Sequence, residues 1–178
     1  MDDMVNEDLL RLQQDEDYEE ILSLSSTKFE LPLSSLKLSP PVCVSEETPL
    51  EMVLEIMQEK RIGSVLVVSE YFQLVGILTE RDILFRVIGK IPRWETTPVS
   101  DVMTIDPMAL QKRDMIAYAM NNMHVGGYRH VPIVDENNHP VAVISVRDVM
   151  GYILDNFPKH ILNITGQPFR GIHQQESA

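Results

Sequence analysis

The sequence predicts an α+β fold in which one β-α-β-β-α unit is used twice. The two copies pack as a pseudo-twofold pair, with small sheets flanked by helices. Three observations carry this expectation. First, residues 36–92 land without a gap on residues 102–158 when shifted by 66 positions, so that Pro41 falls on Pro107, Met57 on Met123, Val65 on Val131, Val75 on Val141, Arg81 on Arg147 and Asp82 on Asp148. Second, helical and strand-like hydrophobic spacings alternate in the same order in both copies. Third, a unit of about 60 residues is marginal alone, so the copies are expected to bury apolar faces against each other. The seam of such a body is a place to hold a ligand.

The segments are therefore an acidic extension (1–35), a first repeat (36–92), a linker (93–101), a second repeat (102–158) and a tail (159–178). In the extension, Leu9, Leu10, Leu12, Tyr18, Ile21, Leu22 and Leu24 fit either an amphipathic helix or a partly disordered acidic arm. In the first repeat, Val42 to Val44 reads as a short strand. Thr48 is expected to cap a helix with Pro49 at its first position, where the missing amide costs nothing. Leu50, Val53, Leu54 and Met57 recur at helical spacing, and Arg61-Ile62-Gly63 closes that helix. Ser64 to Val68 and Leu74 to Leu78 are strands about a turn at Glu70 to Gln73. Thr79 opens a second helix with Ile83, Leu84, Val87 and Ile88 on one face, ended by Gly89 and Pro92.

The second repeat follows suit. A strand is expected at Met108 to Leu110, and a helix capped by Asp114, carrying Ile116, Met120 and Met123 and broken at Gly126-Gly127. Val131 to Val134 and Val141 to Ile144 are strands about a Glu136-Asn137-Asn138 hairpin turn. Ser145 opens a helix with Val149, Met150, Ile153 and Leu154. Beyond residue 158 the periodicity fades into a Gly-, Gln- and Ser-containing tail.

Composition narrows the function classes. The net charge is −12, and residues 1–30 hold ten acids against Arg11 and Lys28, so most of the negative charge sits in the extension. No basic footprint for nucleic acid is evident. A single cysteine, Cys43, excludes a disulfide framework and suits a reducing, cytoplasmic setting. No run approaches the roughly 18 apolar residues of a membrane span, and no signal peptide is expected from the acidic N-terminus. The histidines lack metal-ligand spacing, the methionines read as core and interface filler, and Trp94 is expected to pack across the linker.

The chemistry-bearing feature is a tetrad that ends the third strand of each copy, Thr79-Glu80-Arg81-Asp82 and Ser145-Val146-Arg147-Asp148. A hydroxyl at a helix N-cap, an Arg two residues on and an Asp three residues on share the first turn, where free amides favour an anion. The Asp can accept from two ribose hydroxyls, while the hydroxyl and the Arg hold a phosphate. The same pattern is also a capping box that needs no ligand. Duplication and the Gly76-Ile77-Leu78-Thr79 setting favour the ligand reading.

With these residues the chain resembles the CBS-domain family, named after cystathionine β-synthase. The resemblance rests on Gly76-Ile77-Leu78-Thr79-Glu80-Arg81-Asp82, on Arg129-His130-Val131-Pro132-Ile133-Val134-Asp135 and on the lead-in Val99-Ser100-Asp101-Val102-Met103-Thr104. It covers both repeats. It implies a Bateman module, a regulatory sensor that binds AMP, ADP, ATP or S-adenosylmethionine in two clefts and pairs into a homodimer. One site would use Thr79, Arg81 and Asp82 with Thr104, Met108, Tyr128 and Arg129 from the other copy, and His130 beside the phosphates. The other would use Ser145, Arg147 and Asp148 with Lys37, Val42, Ile62 and Gly63. Ala142 stands where Gly76 would be repeated and is expected to crowd the second site. Lys37 reads either as a phosphate contact or as a solvated lysine, and Tyr128 either as a base stack or as a packing aromatic.

Two further readings compete. The repeat can be a dimerisation scaffold whose extension recruits an effector protein, the tetrads being caps only. An enzyme is disfavoured, because no nucleophile–base pair, Walker-type phosphate loop or metal cluster is visible.

Overall fold

The computed structural model describes residues 28–156. The helix expected from the leucines of residues 9–24 and the tail expected over 159–178 lie outside the described residues. Two sheets organise what is described. The first has four strands, β1 (Cys43–Ser45), β2 (Ser64–Val68), β3 (Leu74–Thr79) and β4 (Thr104–Ile105), in that spatial order. The second has three, β5 (Leu110–Gln111), β6 (His130–Val134) and β7 (Pro140–Ser145). In each, the first pairing is parallel and the second antiparallel. The parallel crossovers run through α1 (Leu50–Lys60) and, in the second repeat, α3 (Ile116–Gly126). After the third strands come α2 (Glu80–Asp82) and α4 (Val146–Asn156).

The strand sequences explain the layering. All five residues of β2, Ser-Val-Leu-Val-Val, are buried, as a strand covered on both faces must be. Its side chains alternate. Val65 and Val67 enter the first repeat's core with Leu50, Val53, Met57 and Leu78, while Leu66 points to a separate cluster with Leu74, Ile77 and Val134. That third cluster draws on both repeats, so the expected burial of one copy against the other is present. The second repeat's own core holds Ile116, Ala119, Val131, Ile133 and Ile144.

The 66-residue register reaches further back than residue 36. The Leu33 amide donates to the Asp114 carbonyl at 2.8 Å, as the Val99 amide does to the Thr48 carbonyl at 2.9 Å. The Ile116 amide donates to the Leu31 carbonyl, as the Leu50 amide does to that of Thr97, both at 2.9 Å. These pairs are related by the same offset. The lead-ins are exchanged: Leu33, fully buried, belongs to the second repeat's core, and Val99 to the first's. Residues 104–105 likewise extend the first sheet, antiparallel to Gly76 and Ile77, and Ser39 bridges to Val143. Hydrophobic periodicity gives no sign of this exchange, because it does not say which copy a segment covers.

Local expectations differ from the structure in four places. Pro49 is the N-cap of α1, in extended backbone at ψ 144°, and no side chain caps the helix; the Thr48 hydroxyl meets Ser45 Oγ at 3.0 Å instead. Asp114 does not cap α3, whose N-cap is Met115; its Oδ2 accepts from the Gln111 amide at 2.7 Å and closes the turn before the helix. The strand expected at 108–110 forms as Leu110–Gln111, with β4 before it. The helix opened by Thr79 changes after Asp82 into a π-helical turn over Ile83–Val87. Of its expected buried face, Val87 is fully buried but Leu84 and Ile88 are exposed.

Gly76 marks a close approach. A Cβ there would stand 2.9 Å from Met103 Cγ and nearer still to its Sδ. In the second copy the register partners are Ala142 and Lys37, so the difference follows the side chain that the lead-in lays across the strand. Gly76→Ala is expected to cost about 1–3 kcal/mol from overpacking, measured by urea unfolding. In a Met103→Ala background the penalty should largely vanish; an equal penalty in both backgrounds would show that the clash is elsewhere.

Candidate functional site

A cavity of about 710 Å³ opens between the two repeats. One wall is the start of α2, supplied by the first copy. The other is the β4–β5 connection and the link from α3 to β6, supplied by the second. Thr79, Arg81, Asp82, Thr104, Met108, Tyr128, Arg129 and His130 all line it. β3 runs directly into α2, so the tetrad lies where that strand ends at the seam, and β4, antiparallel to β3, carries Thr104 to the same place.

The first tetrad forms a full capping box. Asp82 Oδ2 accepts from the Thr79 amide at 3.0 Å and from the Thr79 hydroxyl at 2.6 Å, while the Thr79 Oγ1 accepts from the Asp82 amide at 3.3 Å. Asp82 Oδ1 faces Arg86 Nε at 3.4 Å. Arg86 also donates to the carbonyls of Val102 and Met103 at 2.9 and 3.0 Å, tying the π-helical turn after α2 to the lead-in of the other copy. Arg86 thus steadies the Asp82 carboxylate. The sequence reading missed it, although its (i, i+4) spacing from Asp82 is the usual signal for such a pair. Capping and lining are compatible here: the carboxylate is held by its own turn while its residue borders the cavity.

Arg81 reaches across the opening, its Nη1 donating to the Gly127 carbonyl at 3.4 Å. Gly127 ends α3 in the left-handed region, at φ 67°. Tyr128 folds back so closely that a Cβ on Gly126 would overlap its ring, which sets the half-exposed aromatic at the rim.

His130 lies at the first position of β6, opposite Ser145 in β7. Partial burial holds its ring below the usual histidine pKa. Glu80 and Asp148 pull in the opposite direction, and Arg129 adds to the lowering. Glu80 and Asp106, which the sequence reading did not select, also line the cavity, as do the exposed apolar residues Leu84 and Phe85. The Glu80 position carries Val146 in the other tetrad, so the duplicated pattern hides it.

The second residue set is distributed differently. Ser145 and Asp148 repeat the capping box, with Asp148 Oδ2 accepting from the Ser145 amide at 2.7 Å and its hydroxyl at 2.6 Å, and with the Asp148 amide on Ser145 Oγ at 3.4 Å. Arg147 and Lys37 are exposed. Val42 and Ile62 pack, partly buried, on the first repeat's core. Gly63 does not stand apart with this set: it lines the cavity next to the first tetrad, because its carbonyl accepts from the Glu80 amide at 3.1 Å. The related bond in the other copy runs from the Val146 amide to the Arg129 carbonyl at 3.0 Å.

Comparison with known proteins agrees with this architecture. The family description "CBS domain" matches residues 33–89 and 99–155. A CBS domain-containing protein of Arabidopsis thaliana is 33% identical over 123 residues, 69% of this chain and 22% of that protein, so the chain spans under a quarter of that relative's length. A CBS domain protein of Pyrobaculum aerophilum, solved in complex with AMP, superimposes with a TM-score of 0.63 at 24% identity, over 71% of this chain and 98% of the other. The CBS domain pair of protein MJ0100, solved with 5′-methylthioadenosine and S-adenosyl-L-methionine, gives 0.61 at 18% identity, over 67% and 93%. No helix among the described residues is long and apolar enough to cross a membrane.

Proposed function

This chain belongs to the CBS-domain family, as a tandem pair, and from that premise we propose that it is a non-catalytic, cytoplasmic sensor module that binds an adenosyl ligand between its repeats. The observation that carries the reading is the cavity itself, in which one tetrad and the facing connection of the other copy converge. Thr79, Arg81 and Asp82 would hold ribose and phosphate, Arg129 and His130 would meet the phosphate, and Thr104, Met108 and Tyr128 would border the base. Ser145, Arg147 and Asp148, with Lys37, Val42 and Ile62, would form a second site. AMP, ADP, ATP and S-adenosylmethionine are the candidate ligands, supported by the adenosyl compounds in the two solved relatives. Occupancy would be signalled through a change in shape or assembly to an effector protein.

A homodimer fits the surface. Leu84 and Ile88 are exposed, and so are Met150 and Leu154, their register partners 66 residues on. An apolar face repeated by the pseudo-twofold suits a second copy placed on the same axis.

The scaffold reading has one specific support: both capping boxes are complete from the chain's own atoms. Titration calorimetry and thermal unfolding with AMP, ADP, ATP and S-adenosylmethionine separate the two. A sensor should bind at least one with a Kd below about 1 mM, and 100-fold excess over Kd should stabilise the fold by about 2.7 kcal/mol. No binding and no shift with any of the four would leave the scaffold.

A further inference from the structure

His130 is the one histidine in the wall of the cavity, and its surroundings give it a task that ligand contact alone does not require. It opens β6 at the seam, faces Ser145 across the strand pair and lines the cavity. The first copy closes on it through Gly63. A Cβ on Gly63 would lie 3.0 Å from His130 Cε1, 3.2 Å from Nε2 and 3.4 Å from the Glu80 carboxylate carbon. Ring and carboxylate therefore approach one point of the wall closely, and a side chain on Gly63 would make one of them give way by a few tenths of an ångström.

The charged groups around the ring come from both copies. Glu80 stands on α2, Asp148 on α4 and Arg129 just before β6. Arg81, Asp82 and Asp106 line the same cavity. Asp82 is matched by Arg86 at 3.4 Å, which leaves Glu80, Asp106 and Asp148 against Arg81 and Arg129. The carboxylates thus exceed the guanidinium groups by one, and a proton on His130 offsets that excess. With a neutral ring, an entering phosphate meets that acidic excess. With a protonated ring, Glu80 is offset and the phosphate gains a donor.

We propose that His130 makes the binding of an anionic adenosyl ligand in this cavity proton-linked, the ring taking up a proton from solvent as the phosphate enters. The proposal rests on the reading of this cavity as the adenosyl site. The sign follows from the surroundings. Burial holds the ring's pKa down in the empty cavity, and a neighbouring phosphate favours the charged ring. Affinity therefore rises as pH falls through the ligand-bound pKa toward the lower, empty-cavity one.

The test is AMP titration of the full chain at about pH 7.5 and about pH 5.5, on wild type and His130→Asn. The ring's Cε1 proton is followed by NMR in the wild-type protein with and without AMP. AMP's own phosphate titrates in this range equally for both proteins, so the comparison isolates the ring. Wild type relative to His130→Asn should gain at least about threefold in affinity on acidification, a fraction of the tenfold that one unit of pKa change allows. The NMR titration should show the His130 pKa raised by AMP, a readout that needs no variant to fold. Binding with the same pH profile in both proteins and an unmoved ring would overturn the linkage while leaving the site. No AMP binding at either pH would remove the linkage and the site's reading together.

Discussion

Leu66→Ala should unfold this protein more readily than any surface change, with an expected loss of about 2.5–5 kcal/mol. Leu66 is fully buried in the middle of β2. Its side chain lies in the cluster that includes Leu74 and Ile77 from the first repeat and Val134 from the second. Neighbours on two sheets cannot easily collapse into the space, so the cavity term adds to the lost transfer energy. A domain of this size holds roughly 5–15 kcal/mol in all, and the loss is a large share of it. Urea unfolding at constant m-value reads the effect. A second consequence separates the seam from an ordinary core. Val65→Ala, in the first repeat's own cluster, should lower stability while keeping the unfolding of the two repeats coupled. Leu66→Ala should loosen the coupling, seen as amides of the two sheets exchanging hydrogen at different rates. If Leu66→Ala cost under 1 kcal/mol, the two sheets would not be sharing a core.

Asp82→Ala should have the larger effect on binding. In the proposed site the carboxylate accepts from ribose, and a hydrogen bond to a charged group is worth about 1.5–3 kcal/mol. AMP affinity should therefore drop by at least about tenfold. The same substitution deletes the bonds to the Thr79 amide and hydroxyl and the contact with Arg86, and loss of such a cap costs about 0.5–2 kcal/mol of stability. Asp148→Ala removes the matching bonds to Ser145 and should cost a similar stability. The pair of variants thus carries its own control: cap loss of the same order in both, somewhat larger in Asp82→Ala through its Arg86 contact, with the affinity of the first cavity lost in Asp82→Ala alone. Wild-type AMP affinity in Asp82→Ala would reduce Asp82 to a helix cap.

Much of the fold was legible because it is written twice. The offset that places Arg81 on Arg147 also places α1 over α3 and the third strands over each other, and both repeats form with the expected order of elements. The capping pattern of the tetrads was likewise local, and both boxes form. Legibility failed where a local rule met a competing partner. Thr48 and Asp114 are good capping residues by type, yet Ser45 and the Gln111 amide hold them. Leu84 and Ile88 have the spacing of a buried face, yet both are exposed, as are Met150 and Leu154 at the matching positions of α4, so the spacing marks a face that the other copy does not cover. Glu80, Asp106 and Arg86 escaped notice because their roles depend on what crosses the seam, and Gly63 lines the cavity beside the first tetrad for the same reason.

By itself the sequence determined that one β-α-β-β-α unit would be built twice, and that each third strand would hand over to a capped helix start bearing Arg and Asp. Those are short-range matters of hydrophobic period and hydrogen bonds a few residues apart. Only the tertiary structure decided which copy covers which. It laid Leu33 on the second repeat and Val99 on the first, placed Met103 against Gly76, and set His130 beside Gly63 and Glu80 in one wall. Such choices rest on shape and charge between segments far apart in the chain, and no local pattern encodes them.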